Sequence, residues 1–144
     1  MKNNILIIGF GDLAERLESY LLEKDNFILG LTRSPENYKG SNLLYWDWNL
    51  GDEFEVPIHN FDAVIFFPKP HEYNESGYEV GFINSLELIE KSLKKIEYKS
   101  FIGISSTRVY GAGQYGELLE ANSPEPSDFR GEIVLNYENL VKSK

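Results

Sequence analysis

The chain has no cysteine, one methionine, two histidines and only 14 lysines and arginines in 144 residues. Without cysteine there is no disulfide, no thiolate zinc site, no iron–sulfur cluster and no sulfur nucleophile, a composition that fits a reducing compartment and sets the cytoplasm as the expected location. His59 and His71 fall on different predicted loops, without the acid-and-histidine spacing of zinc ligands, so no metal site is expected. Against the basic residues stand 23 acidic ones, a formal charge of −9. Such a surface repels phosphate backbones and anionic lipid, and no basic run exceeds Lys94-Lys95, which argues against nucleic-acid and membrane partners. No apolar run approaches the roughly 20 residues that span a bilayer, and the one after Met1-Lys2-Asn3-Asn4 ends at Gly9, too short for a secretory signal.

Hydrophobic residues make up 42% of the chain, with phenylalanine and tyrosine well represented, enough to build one core. A domain of this size buries about 70% of the surface its unfolded chain exposes. Ile5-Leu6-Ile7-Ile8 is a continuous apolar, β-branched run, the mark of a strand covered on both faces. From Asp12 to about Lys24 the residues Leu13, Ala14, Leu17 and Leu21 share one helical face, and Asp12 suits the positive end of the helix dipole. Strands two and three are expected over Phe27 to Leu31 and, after the turn-prone Lys39-Gly40-Ser41-Asn42, over Leu43 to Trp46. Trp46 to Phe61, acidic and broken by Gly51 and Pro57, reads as a surface connection with at most one helical turn.

Strand four is expected over Ala63 to Phe67 and is ended by Pro68-Lys69-Pro70. A polar loop through Gly77 leads to a helix from about Tyr78 to Lys95, whose Val80, Ile83, Leu86, Ile89 or Glu90, and Leu93 form an apolar stripe. Strand five is expected over Phe101 to Ile104, followed by a glycine- and proline-rich loop and a last helix marked by Ile133, Val134, Tyr137, Leu140 and Val141. No repeat or linker interrupts residues 1–144. Alternating strands and helices with right-handed crossovers predict a single α/β domain, a doubly wound parallel sheet in the order 3-2-1-4-5 with helices on both faces.

Gly9-Phe10-Gly11-Asp12-Leu13-Ala14 reads G-x-G-x-x-A directly between a strand and a helix. The first glycine permits the tight turn, the second removes a side chain that would block a pyrophosphate, and the alanine lets helix and strand pack closely. Phosphates placed there meet free helix N–H groups, with Asp12 a mild electrostatic cost. The alternative is a purely structural turn. At the end of strand two, where NAD enzymes carry an acid for the ribose hydroxyl, this chain has Thr32-Arg33-Ser34. A guanidinium flanked by two hydroxyls suits a 2′-phosphate, so NADP(H) is favoured over NAD(H). The competing reading is a solvated arginine before an N-cap Ser34 and N1 Pro35.

Phe101-Ile102-Gly103-Ile104-Ser105-Ser106-Thr107-Arg108-Val109-Tyr110-Gly111 resembles the strand-five segment, roughly S-S-T-x-V-Y-G, of extended and atypical short-chain dehydrogenases, the family of nucleotide-sugar epimerases and dehydratases. With the glycine turn, Thr32-Arg33-Ser34, Asp47 and the late proline-rich loop before a helix, the resemblance spans nearly the whole chain. It implies a Rossmann domain that binds NAD(P), with Asp47 on the adenine amino group, Phe67 and Pro68 along the ribose and nicotinamide, and Ser106 or Thr107 polarising a carbonyl or sugar-nucleotide substrate. A hydrogen-bonded turn after a strand is the plainer reading of Ser105-Ser106-Thr107.

The family's catalytic Y-x-x-x-K is missing: the register of Gly131 and Glu138 places Arg130 and Val134 at its two positions, and Tyr137 falls on the apolar stripe as a core residue. The sequence resembles the atypical subset without that pair, and Arg130 cannot be a general base near neutral pH. The family's C-terminal substrate lobe is also expected to be lacking, as in a fragment or a short natural form. Two readings follow: an NADP(H)-binding oxidoreductase-type domain, or a non-catalytic nucleotide-sensing or protein-interaction module. A homodimer through helices 78–95 and 129–142 is expected from their stripes and from the resemblance. Asp52-Glu53-Phe54-Glu55 and the acids between Glu117 and Glu125 read as surface charge, Trp46 and Trp48 as packing or an adenine shelter, and Lys69 as solvated or as a phosphate partner.

Overall fold

The computed structural model describes residues 2–40 and 42–144; Ser41, in the turn expected before strand three, lies outside the described residues. Five parallel strands form one sheet in the order β3-β2-β1-β4-β5, as the alternation of elements predicts. They are β1 (Asn4–Ile8), β2 (Phe27–Thr32), β3 (Leu43–Tyr45), β4 (Asn60–Phe66) and β5 (Glu97–Gly103). β1 is central, bonded to β2 and β4. Its side chains alternate between two cores: Leu6 and Ile8 face one, Ile5 and Ile7 the other, and all four are buried. A strand enclosed on both sides cannot alternate apolar with polar residues, which is why the run is continuous.

Helix α1 (Asp12–Leu22) covers the Ile5/Ile7 face through Ala14, Leu17 and Leu21. Leu13, expected on that apolar face, is instead 59% exposed and borders the cleft, while Ala14 beside it is buried. The opposite face carries α2 (Glu75–Tyr78), a π-helical turn (Glu79–Asn84), α3 (Ser85–Leu93) and α4 (Phe129–Lys142). The helix expected from Tyr78 begins a turn earlier, because the Asn74 side chain accepts from Gly77 N–H at 2.7 Å and caps it. The π-turn has no signature in a 3.6-residue periodicity. Ile83, Leu86, Ile89 and Leu93 are buried against the sheet while Val80 is only half-buried, and on α4 Ile133, Val134 and Tyr137 are buried. The stripes behind the dimer expectation are therefore turned inward.

Two strands run longer than their apolar segments suggest. β4 starts at Asn60 and β5 at Glu97, which pair with each other at the polar end of the ladder. β5 is an edge strand, so its backbone bonds form where its side chains stay in water. Asp62 secures this end: it accepts from Asn4 N–H at 2.9 Å and from Lys99 Nζ at 2.6 Å. The connection after β3 departs most from expectation. It holds the anticipated single turn, a 3-10 helix over Trp48–Leu50, but it is no surface segment: Trp46, Phe54 and Val56 enter the core. Trp46 Nε1 donates to Asp52 O at 2.9 Å, and Phe54 N–H donates to the buried Ser92 Oγ at 3.0 Å. The acidic residues point outward between these apolar anchors, and composition averages the two together.

Two outcomes follow. Tyr137 is 1% exposed and its hydroxyl has no hydrogen-bond partner among the described residues. Since an unsatisfied buried hydroxyl is costly, Tyr137→Phe is expected to raise the unfolding free energy by about 1 kcal/mol in urea titration. Lys99 and Asn4 N–H lower the Asp62 pKa from its ordinary 3.8, and Gly131 N–H does the same for Asp128, the N-cap of α4. A carboxyl with a depressed folded-state pKa stabilises above its unfolded value and loses that contribution as pH falls through the folded one. Asp62→Asn and Asp128→Ala are expected to be less stable than wild type at neutral pH and to converge with it in acid well below pH 4, measured by urea unfolding across pH.

Candidate functional site

A cleft of about 600 Å³ opens at the carboxyl ends of the strands, bordered by the chain as it leaves each of the five. β1 and β4 are neighbours there although the chain first winds away through β2 and β3, and this reversal of winding leaves a crevice between their outgoing connections.

Gly9 and Gly11 have different reasons to be glycine. Gly9 has φ +82°, and both its N–H and that of Phe10 donate to Leu31 O, at 3.0 and 2.8 Å. A Cβ on Gly9 would run into the Phe67 carbonyl and meet Trp48 Cη2 at 3.3 Å, so the fold itself demands glycine. Gly11 is extended, φ −137° and ψ −160°, a conformation open to any residue. A Cβ there would meet only Tyr38 Oη at 3.7 Å and Gly9 O at 4.0 Å. Nothing among the described residues requires Gly11 to lack a side chain.

What Gly11 leaves open is the start of α1. No side chain caps that helix, and its first intrahelical bond is Glu15 N–H to Gly11 O at 2.9 Å, so the amides of Asp12, Leu13 and Ala14 precede the helical ladder. Asp12 is exposed at the rim, whereas the Glu15 carboxylate is turned aside to accept from Lys39 N–H at 2.9 Å. The Phe10 side chain is buried edge-on against Tyr38, leaving its backbone to border the cleft, and Ala14 is buried where α1 meets the sheet.

On the β2 side Thr32 is buried and its Oγ1 accepts from Ser34 N–H at 3.2 Å. Arg33 is exposed at the cleft, with no ion pair among the described residues and no carboxylate beside it on Thr32-Arg33-Ser34. Asp47 caps the 3-10 turn by accepting from Asn49 N–H through Oδ1 at 3.0 Å. Trp48 contributes its ring, edge-on to Phe66 and Trp46, and its buried indole N–H has no acceptor among the described residues.

Across the cleft stand Phe67 and Pro68 after β4, and Ser105 and Ser106 after β5. Ser105 Oγ donates to Glu138 Oε1 at 2.6 Å. Ser106 Oγ accepts from Arg108 N–H at 3.2 Å, which leaves its own O–H to donate. Thr107 does not border the cleft: Ser106 caps the turn Thr107–Val109, which carries the chain away. Neither Arg130 nor Val134 reaches the cleft either. Arg130 lies near Asp128, at 3.7 Å, and over the Phe129 ring, and Val134 is wholly buried. Tyr137 is core, edge-on to Phe66 and Phe82, and burial pushes its phenol far above the ordinary tyrosine range.

Asn37, Tyr38, Asn49, His71 and Phe82 also border the cleft, without a motif to announce them. Asn37 and Asn49 arrive on 3-10 turns and Phe82 on the π-turn, none of which leaves a periodic trace, and Tyr38 follows the first of them in extended backbone. Among the described residues no group of three or more His, Asp or Glu is placed to hold a metal ion, and no helix is long and apolar enough to cross a membrane.

No protein-family model and no curated protein matches the sequence. Solved structures do match. One from Methylobacillus flagellatus, assigned as an NAD-dependent epimerase/dehydratase, is 24% identical with a TM-score of 0.71, over 96% of this chain and 50% of that one. UDP-glucuronic acid 4-epimerase from Bacillus cereus, a Y149F mutant in complex with UDP-4-deoxy-4-fluoro-glucuronic acid and NAD, is 20% identical with a TM-score of 0.72, over 97% and 51%. A short-chain dehydrogenase/reductase superfamily protein from Agrobacterium tumefaciens with bound NAD is 16% identical with a TM-score of 0.74, over 97% and 44%. The chain thus has the Rossmann-type fold of epimerase/dehydratase and short-chain dehydrogenase structures, and spans about half their length.

The two glycines separate experimentally. Gly9→Ala is expected to lower the unfolding free energy by about 1–3 kcal/mol through strain and collision with the Phe67 carbonyl. Gly11→Ala, measured by the same urea titration, is expected to leave stability within about 0.5 kcal/mol of wild type.

Proposed function

We propose that this chain is an NADP(H)-binding domain of the epimerase/dehydratase and short-chain dehydrogenase type. The observation that carries the proposal is Gly11: a glycine the backbone does not need, in front of an uncapped helix N-terminus, in the crevice where the sheet reverses its winding. A pyrophosphate is the ligand that uses all three, taking hydrogen bonds from the free amides and the dipole's positive end. Arg33, unpaired among the described residues, between Thr32 and Ser34, selects the phosphate on the adenosine ribose, since it offers a fork of donors where an acid would offer only acceptors. Asp47, with Oδ2 uncommitted, serves an adenine amino group, and Phe67 and Pro68 flank the ribose and nicotinamide.

When bound, the nicotinamide supplies or accepts hydride. Ser106 is the residue that polarises a carbonyl, or the corresponding hydroxyl, of a carbonyl or sugar-nucleotide substrate, since its O–H is free while its acceptor side is held by Arg108 N–H. Thr107, exposed on the turn beyond it, has no part in this reading. With Val134 buried and Arg130 outside the cleft, neither position of the family's tyrosine–lysine pair offers a group to move the proton. Nucleotide binding therefore stands ahead of turnover in this reading.

Calorimetric titration with NADPH and NADH tests it. Micromolar binding of NADPH is expected, weaker by about tenfold or more for NADH or in Arg33→Ala, and abolished in Gly11→Val. Absence of heat with both nucleotides in the folded wild-type protein would refute it.

A further inference from the structure

The connection after β4 is built as a strut rather than a loop. Pro68 and Pro70 restrict the backbone on either side of Lys69, each holding φ near about −65°. Behind it, Gly81 of the π-turn lets the Lys69–Pro70 backbone lie directly against the helix, because a Cβ at 81 would strike the Lys69 carbonyl oxygen. Beyond it, His71 N–H donates to Gly77 O at 3.0 Å, and Gly77 itself is held by the Asn74 cap. Lys69 and His71 thus border the cleft from fixed backbone, on the side it shares with Ser105 and Ser106, since β4 and β5 are neighbouring parallel strands.

Other lysines of this chain are solvated on helix surface, as Lys91 of α3 and Lys94 at its end are. Lys69 differs in standing at a concave wall, with no ion pair or hydrogen bond of its side chain among the described residues. Rigid backbone reduces the ordering cost of closing on a ligand to that of the lysine stem. In a chain of net charge −9, a small anion is drawn to the cleft only if cationic groups there offset the general field. Arg33 does so at one end, and Lys69 is the corresponding group on the serine side.

We infer that Lys69, with His71 as a neighbouring donor, is the recognition point for an anionic group, carboxylate or phosphate, on the small molecule whose carbonyl meets Ser106. The substrate class is then an anionic carbonyl compound. This rests on the dinucleotide reading of the cleft.

The experiment loads the protein with NADPH, which first establishes that the nucleotide binds, and follows nicotinamide fluorescence during titration with oxamate, inorganic phosphate and uncharged acetamide. Saturable binding of oxamate or phosphate, in the millimolar range or tighter, is expected without binding of acetamide, and the better anion identifies the group. Lys69→Ala is expected to weaken that anion by about tenfold or more, and Lys69→Arg to retain most of the affinity. Failure of both anions to bind, or equal binding in Lys69→Ala, overturns the inference while leaving the nucleotide reading intact. So does a Lys69→Ala variant that loses affinity for NADPH alone, since the lysine then serves the nucleotide. Absence of NADPH binding overturns both.

Discussion

At Gly9 the chain leaves the central strand of the sheet and must reverse into a helix within two residues, under the Phe67 carbonyl and against the Trp48 ring. A left-handed backbone is the way through, and it places the N–H groups of Gly9 and Phe10 on one acceptor, Leu31 O, beyond the β1–β2 ladder. That bifurcated bond ties the end of β1 to the end of β2. The close approach of Phe67 ties it to the end of β4. Three strand ends are therefore referred to one glycine, and the cleft is the space they enclose.

The far wall depends on a second close approach. A Cβ on Gly103, at the end of β5, would strike the Tyr137 hydroxyl and meet Val141 Cγ2 at 3.1 Å, so its absence lets α4 lie on the strand just before the chain turns through Ser105 and Ser106. The same contact brings Glu138 within reach of Ser105. Tyr137 fills the space between Phe66 and Phe82 with its ring but leaves its hydroxyl unsatisfied. A tyrosine so placed acts through volume, and its raised pKa is a consequence of the packing.

The connection from Trp46 to Val56 links the two walls to the core beneath them. Trp46, Phe54 and Val56 anchor it, and Ser92 satisfies its backbone in the interior by accepting from Phe54 N–H while donating to Leu88 O. With those anchors set, Asp47 and Trp48 are held at the cleft by a three-residue turn closed at Gly51, which has φ +82°. A loose surface loop would not hold the Asp47 carboxylate at the cleft in this way. The segment that composition makes look most dispensable is thus what orients the third strand's contribution to the cleft.

How much of this was legible depends on whether the determining interaction is local. Binary pattern carried the strand order and the two-sided core, because a strand enclosed by helices has to be apolar throughout and an alternation of such strands with helices closes in few ways. The glycine turn was legible for the same reason: its flanks are adjacent in sequence. Where contacts are distant, the sequence was silent. Leu13 fits an apolar stripe but opens onto the cleft, Thr107 sits one residue beyond the last that borders the cleft, and Asn37, Asn49 and Phe82 reach it on turns without a period. Pattern alone also could not separate Gly9, which the backbone requires, from Gly11, which it does not, since that distinction rests on what a Cβ would meet across the fold. Local chemistry determined the elements and their order; the side chains that share the cleft were decided by tertiary packing, because only the folded chain brings residues from five strand ends to one place.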